Sequence, residues 1–186
     1  MKKLIALALC LMMALSAAAF ADATEKVEVG SLEVNGEFVL KASLAEGYSV
    51  SLLDSDSLLS TWSIMNESDE TKPVMFLSIG FDEAYANVDR LNDLSEEELA
   101  AIEDTYAEYD MEFSYTETAH GTKLLMAVEV GDYTDYVSFF TIYKGYCVEF
   151  TLIAGFESDG TISDEQVEQA IQFLSDVDFE PIEAAE

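Results

Sequence analysis

One histidine and two cysteines set narrow limits on nucleophilic chemistry in this 186-residue chain. His120 is the sole histidine, so any nucleophile–histidine mechanism has to use it. It precedes Gly121 at an expected hairpin tip, where a histidine tolerates turn geometry and solvent, and no G-x-S-x-G elbow accompanies it. Cys147 could serve as a nucleophile or redox thiol, but it stands between Tyr146 and Val148 in an expected strand with Lys144 as its one nearby basic residue. Activation of a thiol wants a positive neighbour or a helix N-terminus, so the expectation is a buried, inert side chain. Zinc would need a C-x-x-C or His/Cys cluster and a phosphate site would need a Gly-rich loop; neither occurs.

Carboxylates are the abundant chemistry. With 38 acidic residues, close pairs such as Asp54/Asp56 and Asp132/Asp135 arise by chance and assign nothing, and no D-[TS]-G motif is present. The many Tyr and Phe residues follow strand alternation, which makes them core and cross-strand pairs rather than a carbohydrate-stacking platform. The sequence therefore supplies no catalytic, cofactor-binding or metal-binding residue.

The elements that would position any site are clearer. Over 136–153 two β-rich runs flank Lys144-Gly145, where Gly can take the positive φ of a tight hairpin turn. Pairing Tyr143 with Tyr146 then sets Thr141 against Val148, Phe139 against Phe150 and Val137 against Leu152 on one apolar face. These residues are expected to be buried beneath one helix or both. The opposite face mixes Ile142, Cys147, Phe140, Glu149 and Ser138 and suits partial cover. After Gly155 the period changes to that of a helix, with Val167, Ala170, Ile171 and Leu174 on one stripe. Ser163 and Gln166 form its capping box. Val177-Asp-Phe179 is expected to return along the sheet.

Lys2 and Lys3, an apolar run from Leu4 to Leu15, and Ala19-Phe20-Ala21 read as a secretory signal peptide over 1–21, cleaved near Ala21. A membrane span would need roughly 20 apolar residues without such a site. Cleavage leaves Cys147 as the one cysteine, so no intrachain disulfide can form. It also removes two of eight basic residues, taking the formal net charge from −30 to −32. That field repels phosphate backbones and anionic headgroups, which argues against nucleic acid and against direct binding to anionic membranes. A remainder of this size can bury about 70% of its unfolded surface, enough for one core.

Taken in order, Val27, Val29, Leu32 and Val34 nearly alternate before the hairpin signal Asn35-Gly36, and Phe38 and Leu40 continue on the return strand. A strand over 48–52 follows, then a polar break at 54–57. A strand pair over 60–65 and 74–81 is joined by a charged loop, and 82–92 reads as a turn or short helix. Ser95 and Glu98 cap a helix carrying Leu99, Ile102, Tyr106 and Tyr109, with Glu96, Glu97 and Glu98 at the positive end of its dipole. Strands over 112–118 and 123–130 form a hairpin around His120-Gly121, with Leu124, Met126, Val128 and Val130 on one face. Tight hairpins dominate, so the expected class is α+β, a largely antiparallel sheet flanked by helices. It forms a single domain over 22–180 with an acidic tail over 181–186.

The β-rich opening, Leu94-Ser-Glu-Glu-Glu-Leu99 at the start of the mid-chain helix, Tyr146-Cys-Val-Glu-Phe-Thr-Leu152, and Glu165-Gln-Val-Glu-Gln-Ala-Ile-Gln-Phe-Leu174 closing on Val177-Asp-Phe179 together resemble the PsbP/Mog1-like α/β/α sandwich group, bacterial exported members included. The resemblance implies a non-catalytic accessory or partner-binding protein and carries over no site residue. The expected function is thus an exported, non-enzymatic domain, secreted or held in the envelope or periplasm, that binds a protein or envelope partner without a cofactor. The alternative is a hydrolase acting on envelope or dietary polymers through a carboxylate pair.

One stretch imitates a calcium loop. In 155–166, Asp159 falls at EF-hand position 5, Gly160 at 6, Ile162 at 8 and Ser163 at 9. Position 1 is Gly155 and position 12 is Gln166, so both anchoring carboxylates are missing, and a strand rather than a helix precedes the loop. Asp159-Gly160 is read as a turn and Ser163 as a helix cap, and no specific calcium ion is expected. Calorimetric titration with calcium should therefore give no saturable heat; binding tighter than roughly 10⁻⁵ M that disappears in Asp159→Asn would refute the turn-and-cap reading.

Overall fold

The Lys144-Gly145 link closes a two-residue turn with positive φ at both positions, 49° at Lys144 and 80° at Gly145. This is the mirror-image turn whose twist matches that of the strands it joins. A Cβ on Gly145 would also meet the Phe81 ring at 3.0 Å and the Ala86 backbone at 3.2 Å, so space and conformation both select glycine. The turn joins Tyr136–Tyr143 to Tyr146–Ile153 in the expected register, Tyr143 against Tyr146, Phe139 against Phe150 and Val137 against Leu152.

The computed structural model describes residues 26–31, 37–56, 58–107, 111–129 and 136–182. The signal peptide and cleavage site over 1–21, the Asn35-Gly36 turn with Leu32 and Val34, Ser57, Tyr109, Val130, the Asp132/Asp135 pair and the tail from 183 lie outside the described residues. The described strands are β1 (Val27–Ser31), β2 (Phe38–Ala42), β3 (Tyr48–Ser55), β4 (Leu59–Asn66), β5 (Val74–Phe81), β6 (Met111–Glu117), β7 (Lys123–Glu129), β8 (Tyr136–Tyr143), β9 (Tyr146–Ile153) and β10 (Asp178–Pro181). Helix α1 (Glu96–Ala107) lies between β5 and β6, and α2 (Asp164–Ser175) between β9 and β10. Short 3₁₀ turns at Glu83–Tyr85 and Leu91–Asp93 occupy the stretch expected as a turn or short helix.

Seven strands form one sheet in the order β3-β4-β5-β9-β8-β7-β6, and β1-β2-β10 form a second; every described pairing is antiparallel. The class is α+β, as the succession of hairpins and capped helices implies. Both capping boxes form. Ser95 Oγ accepts from Glu98 N while Glu98 Oε2 accepts from Ser95 N; Ser163 and Gln166 do the same at α2.

One face of the large sheet, with Phe139, Phe150, Val148, Leu77 and Ile79, is sealed by Ala170, Ile171 and Leu174 of α2 together with Val29, Phe38, Leu40 and Phe179 of the small sheet. The other face, with Leu125 and Ile142, lies under Ile102 of α1 and Leu91 and Leu94 of the preceding segment. The two helices therefore sit on opposite faces, and the Phe139 face is covered by α2 and three strands rather than by both helices. The return of Val177-Asp-Phe179 also differs from expectation. It pairs with β2 in the small sheet, because Val177 alone separates the C-cap Asp176 from β10. The chain has no length in which to cross strands spaced about 4.8 Å apart to reach an edge of the large sheet. Strand β10 runs through Pro181, one residue past the expected domain end, and Ile182 N donates to Glu37 O at 2.9 Å. Proline is tolerated there because β10 is an edge strand.

Phe139 is fully buried at the centre of this interface. Phe139→Ala should lower the unfolding free energy by about 3–5 kcal/mol in denaturant melts, and a loss under about 1 kcal/mol would mean that the face relaxes around the missing ring.

Candidate functional site

The side chains with recognisable chemistry are spread apart. His120 sits in the β6–β7 turn with Nε2 2.9 Å from Lys26 Nζ and Nδ1 3.7 Å from Asp178 Oδ2. An ammonium can only donate, so Nε2 accepts in this arrangement and the Nδ1 proton faces Asp178. Lys26 also reaches Asp176 Oδ1 at 3.6 Å and donates to its carbonyl at 3.1 Å. The cluster ties the start of β1 to the end of α2, and neither a nucleophilic hydroxyl nor a thiol stands among these contacts. Cys147 is half-buried on the α1 face; burial first, then Asp82 and Glu149, push its thiol up to about 11. The thiolate is therefore scarce at neutral pH, as a mid-strand position without a basic neighbour implies.

Asp54 and Asp56 are occupied by local backbone. Asp54 Oδ1 accepts from Ser55 N, and Asp56 Oδ1 accepts from Leu58 N at 2.7 Å and Leu59 N at 2.9 Å. Those amides hold the Asp56 carboxyl below its ordinary value, the reverse of what a general acid requires. In the calcium-like stretch Asp159 Oδ1 accepts from Thr161 Oγ1 and N, and Gly160 has φ of 84°. Among the described residues no set of three or more His, Cys, Asp or Glu side chains is arranged to hold a metal ion.

Glu149 is the carboxylate most built into the fold. Ser138 Oγ donates to it from the neighbouring strand and Tyr106 OH donates from α1 at 3.4 Å. Burial, then Glu149, raise the Tyr106 and Tyr136 phenols above their ordinary range. The protonated Tyr106 hydroxyl fastens α1 to the sheet.

A concave feature of the surface lies elsewhere. A small, half-open groove runs between α2 and the β3 side of the large sheet. Leu44, Ala45 and Tyr48 form one wall, Ile64, Met75 and Leu152 the floor, and Gln166, Gln169, Ala170 and Phe173 of α2 the other wall. Tyr48 is held upright by donating to Pro73 O at 3.3 Å, and its phenol is raised by burial and then by Asp69. Gly47, with φ of 83°, makes the turn that delivers the chain into β3. No charged side chain lines the groove, so it suits an apolar occupant.

Strand β3 is also an edge of the large sheet, with β4 its one neighbour among the described strands. Its exposure increases along its length, and Leu52, Leu53, Leu58 and Leu59 leave an apolar tip on the β3–β4 hairpin at 54%, 55%, 71% and 49% exposure. The alternation that identifies a strand over 48–52 says nothing of edge position. The available signal was an uncharged run from Tyr48 to Leu53 in a chain that is 25% charged.

Comparison with known proteins returned no matching family model, curated protein or solved structure.

The raised Cys147 thiol has a direct consequence. In the chain from Asp22 onward, iodoacetamide should label Cys147 roughly a hundredfold more slowly at pH 8 than an exposed cysteine, with the rate climbing as pH approaches about 11 and rising at once on denaturation. Labelling at the rate of a free thiol would contradict the half-buried placement.

Proposed function

We propose that this chain is an exported, non-enzymatic domain of the PsbP/Mog1-like α/β/α sandwich type that binds a protein partner of the envelope or medium. Binding is through the β3 edge and the groove beside it. The observation that carries the reading is their coincidence: Tyr48 lines an apolar groove and belongs to a strand whose outer side no described strand pairs. An isolated exposed leucine needs no explanation, but four on one hairpin tip beside a groove concentrate exposed apolar side chains in a chain of net charge −30. Support for the sandwich type comes from helices on opposite faces of an antiparallel sheet in the order the sequence resemblance implies.

Ala45 is exposed at the groove wall and gives the test. A photo-crosslinking residue at position 45 should yield a reproducible adduct with a protein from the native envelope or culture medium. Ala45→Glu should reduce capture at least about tenfold, because a carboxylate buried without a partner is strongly disfavoured, while the melting curve stays within about 0.5 kcal/mol of the parent. Capture indifferent to Ala45→Glu, or polymer hydrolysis abolished by a single Asp or Glu substitution, would displace this reading.

A further inference from the structure

Edge strands are normally blunted by charge, proline, bulges or cover, because their unpaired N–H and C=O groups template another strand. The two edges of the large sheet differ in this respect. Strand β6 carries Glu112 and Glu117 and is braced by α1, with Tyr115 OH donating to Glu103 at 2.7 Å. Strand β3 has no charge from Tyr48 to Leu53, and no described strand pairs with its outer side. Its protection begins only at the bulge between Leu52 and Asp54.

We infer that β3 receives an extended peptide segment of the partner as an added strand, with apolar side chains alternating beside Tyr48, Val50 and Leu52 and basic residues at its ends. The inference rests on the partner-binding reading above and supplies the chemistry of the occupant. Three observations determine that chemistry. First, Val50 pairs with Ile64 and Leu52 with Trp62, so Tyr48, Val50 and Leu52 share the groove side while Ser49 and Ser51 take the other; a strand laid alongside matches them by alternating apolar and polar. Second, the bulge ends regular pairing after Leu52, which leaves five residues, or roughly 17 Å of strand, to be read. Third, the ends of this edge are acidic: Glu46 precedes it, Glu67 accepts from Ser49 Oγ at 2.8 Å, and Asp54 and Asp56 follow. Like charges facing one another across a strand pair are destabilising, which disfavours a second copy of this chain and favours lysine or arginine at both ends of the occupant.

The test is selection of random 12-residue peptides displayed on phage against the protein as exported, followed by binding of the selected synthetic peptides. Selected sequences should alternate apolar and polar residues over about five positions with flanking Lys or Arg. Leu52→Lys should weaken them at least about tenfold by charging the edge. Phe113→Lys, a matched exposed change on β6, should leave affinity unchanged and controls for folding. Raising salt from about 0.05 to 0.5 M should weaken binding several-fold, and amide exchange over 48–52 should slow in the complex.

Peptides with helical i, i+3, i+4 spacing, acidic peptides, or affinity unaffected by Leu52→Lys would overturn the inference. Failure to select any edge-dependent peptide while the position-45 adduct persists and still responds to Ala45→Glu would overturn the occupant and leave partner binding standing. Loss of both would remove both.

Discussion

The register of the β8–β9 hairpin is the constraint on which the other elements depend. Because side chains alternate, a slip of one residue would send Phe139 and Phe150 to the α1 face and present Ser138 and Glu149 to the small sheet. The mirror-image turn at Lys144-Gly145 prevents that slip, and the Phe81 ring and the backbone of Ala86 close around Gly145 so that the turn is held from outside as well. With register fixed, β5 adds to one side of the hairpin and β7 to the other, and the two faces of the sheet acquire different chemistry.

Those faces are covered in different ways because they differ in polarity. The Phe139 face is apolar apart from the buried Thr141, whose hydroxyl donates to Lys123 O, and takes the amphipathic stripe of α2 and the aromatic side chains of the small sheet, where Phe38 packs edge-on against Tyr143 at 5.0 Å and Tyr143 stacks on Phe179 at 4.7 Å. The opposite face holds Ser138 and Glu149, which α1 can cover because Tyr106 provides an apolar ring with a hydroxyl at the right end. No buried side-chain N or O atom among the described residues lacks a hydrogen-bond partner, as a polar layer within a packed interface requires.

Helix α2 leaves the sheet incompletely covered on the β3 side, and this asymmetry creates the groove. Phe173 of α2 meets Phe150 of β9 edge-on at 6.4 Å, and the groove opens between the helix and Tyr48 of β3. Tyr48 and Leu44 are only partly shielded as a result, and the hairpin tip beyond them is open. An acidic chain keeps such a surface soluble through its net charge, and the same charge restricts what can approach it.

Periodicity, turn chemistry and capping lie within a few residues of one another, so the sequence by itself determined the β6–β7 and β8–β9 hairpins, both capped helices and the buried Phe139 face. Each of these follows from neighbours along the chain or directly across one turn. Which strands became edges, which face α2 covered, and that Val177-Asp-Phe179 joined β2 rather than the large sheet depended on tertiary contacts between separate elements, Phe179 pairing with the distant Leu40 for example. The groove belongs to that second kind: Ala45, Met75, Leu152 and Phe173 are unremarkable singly, and only tertiary packing brings them to one wall and floor. No local pattern specifies where a helix stops short of a sheet edge, because that boundary is set by the balance of burial across the whole interface.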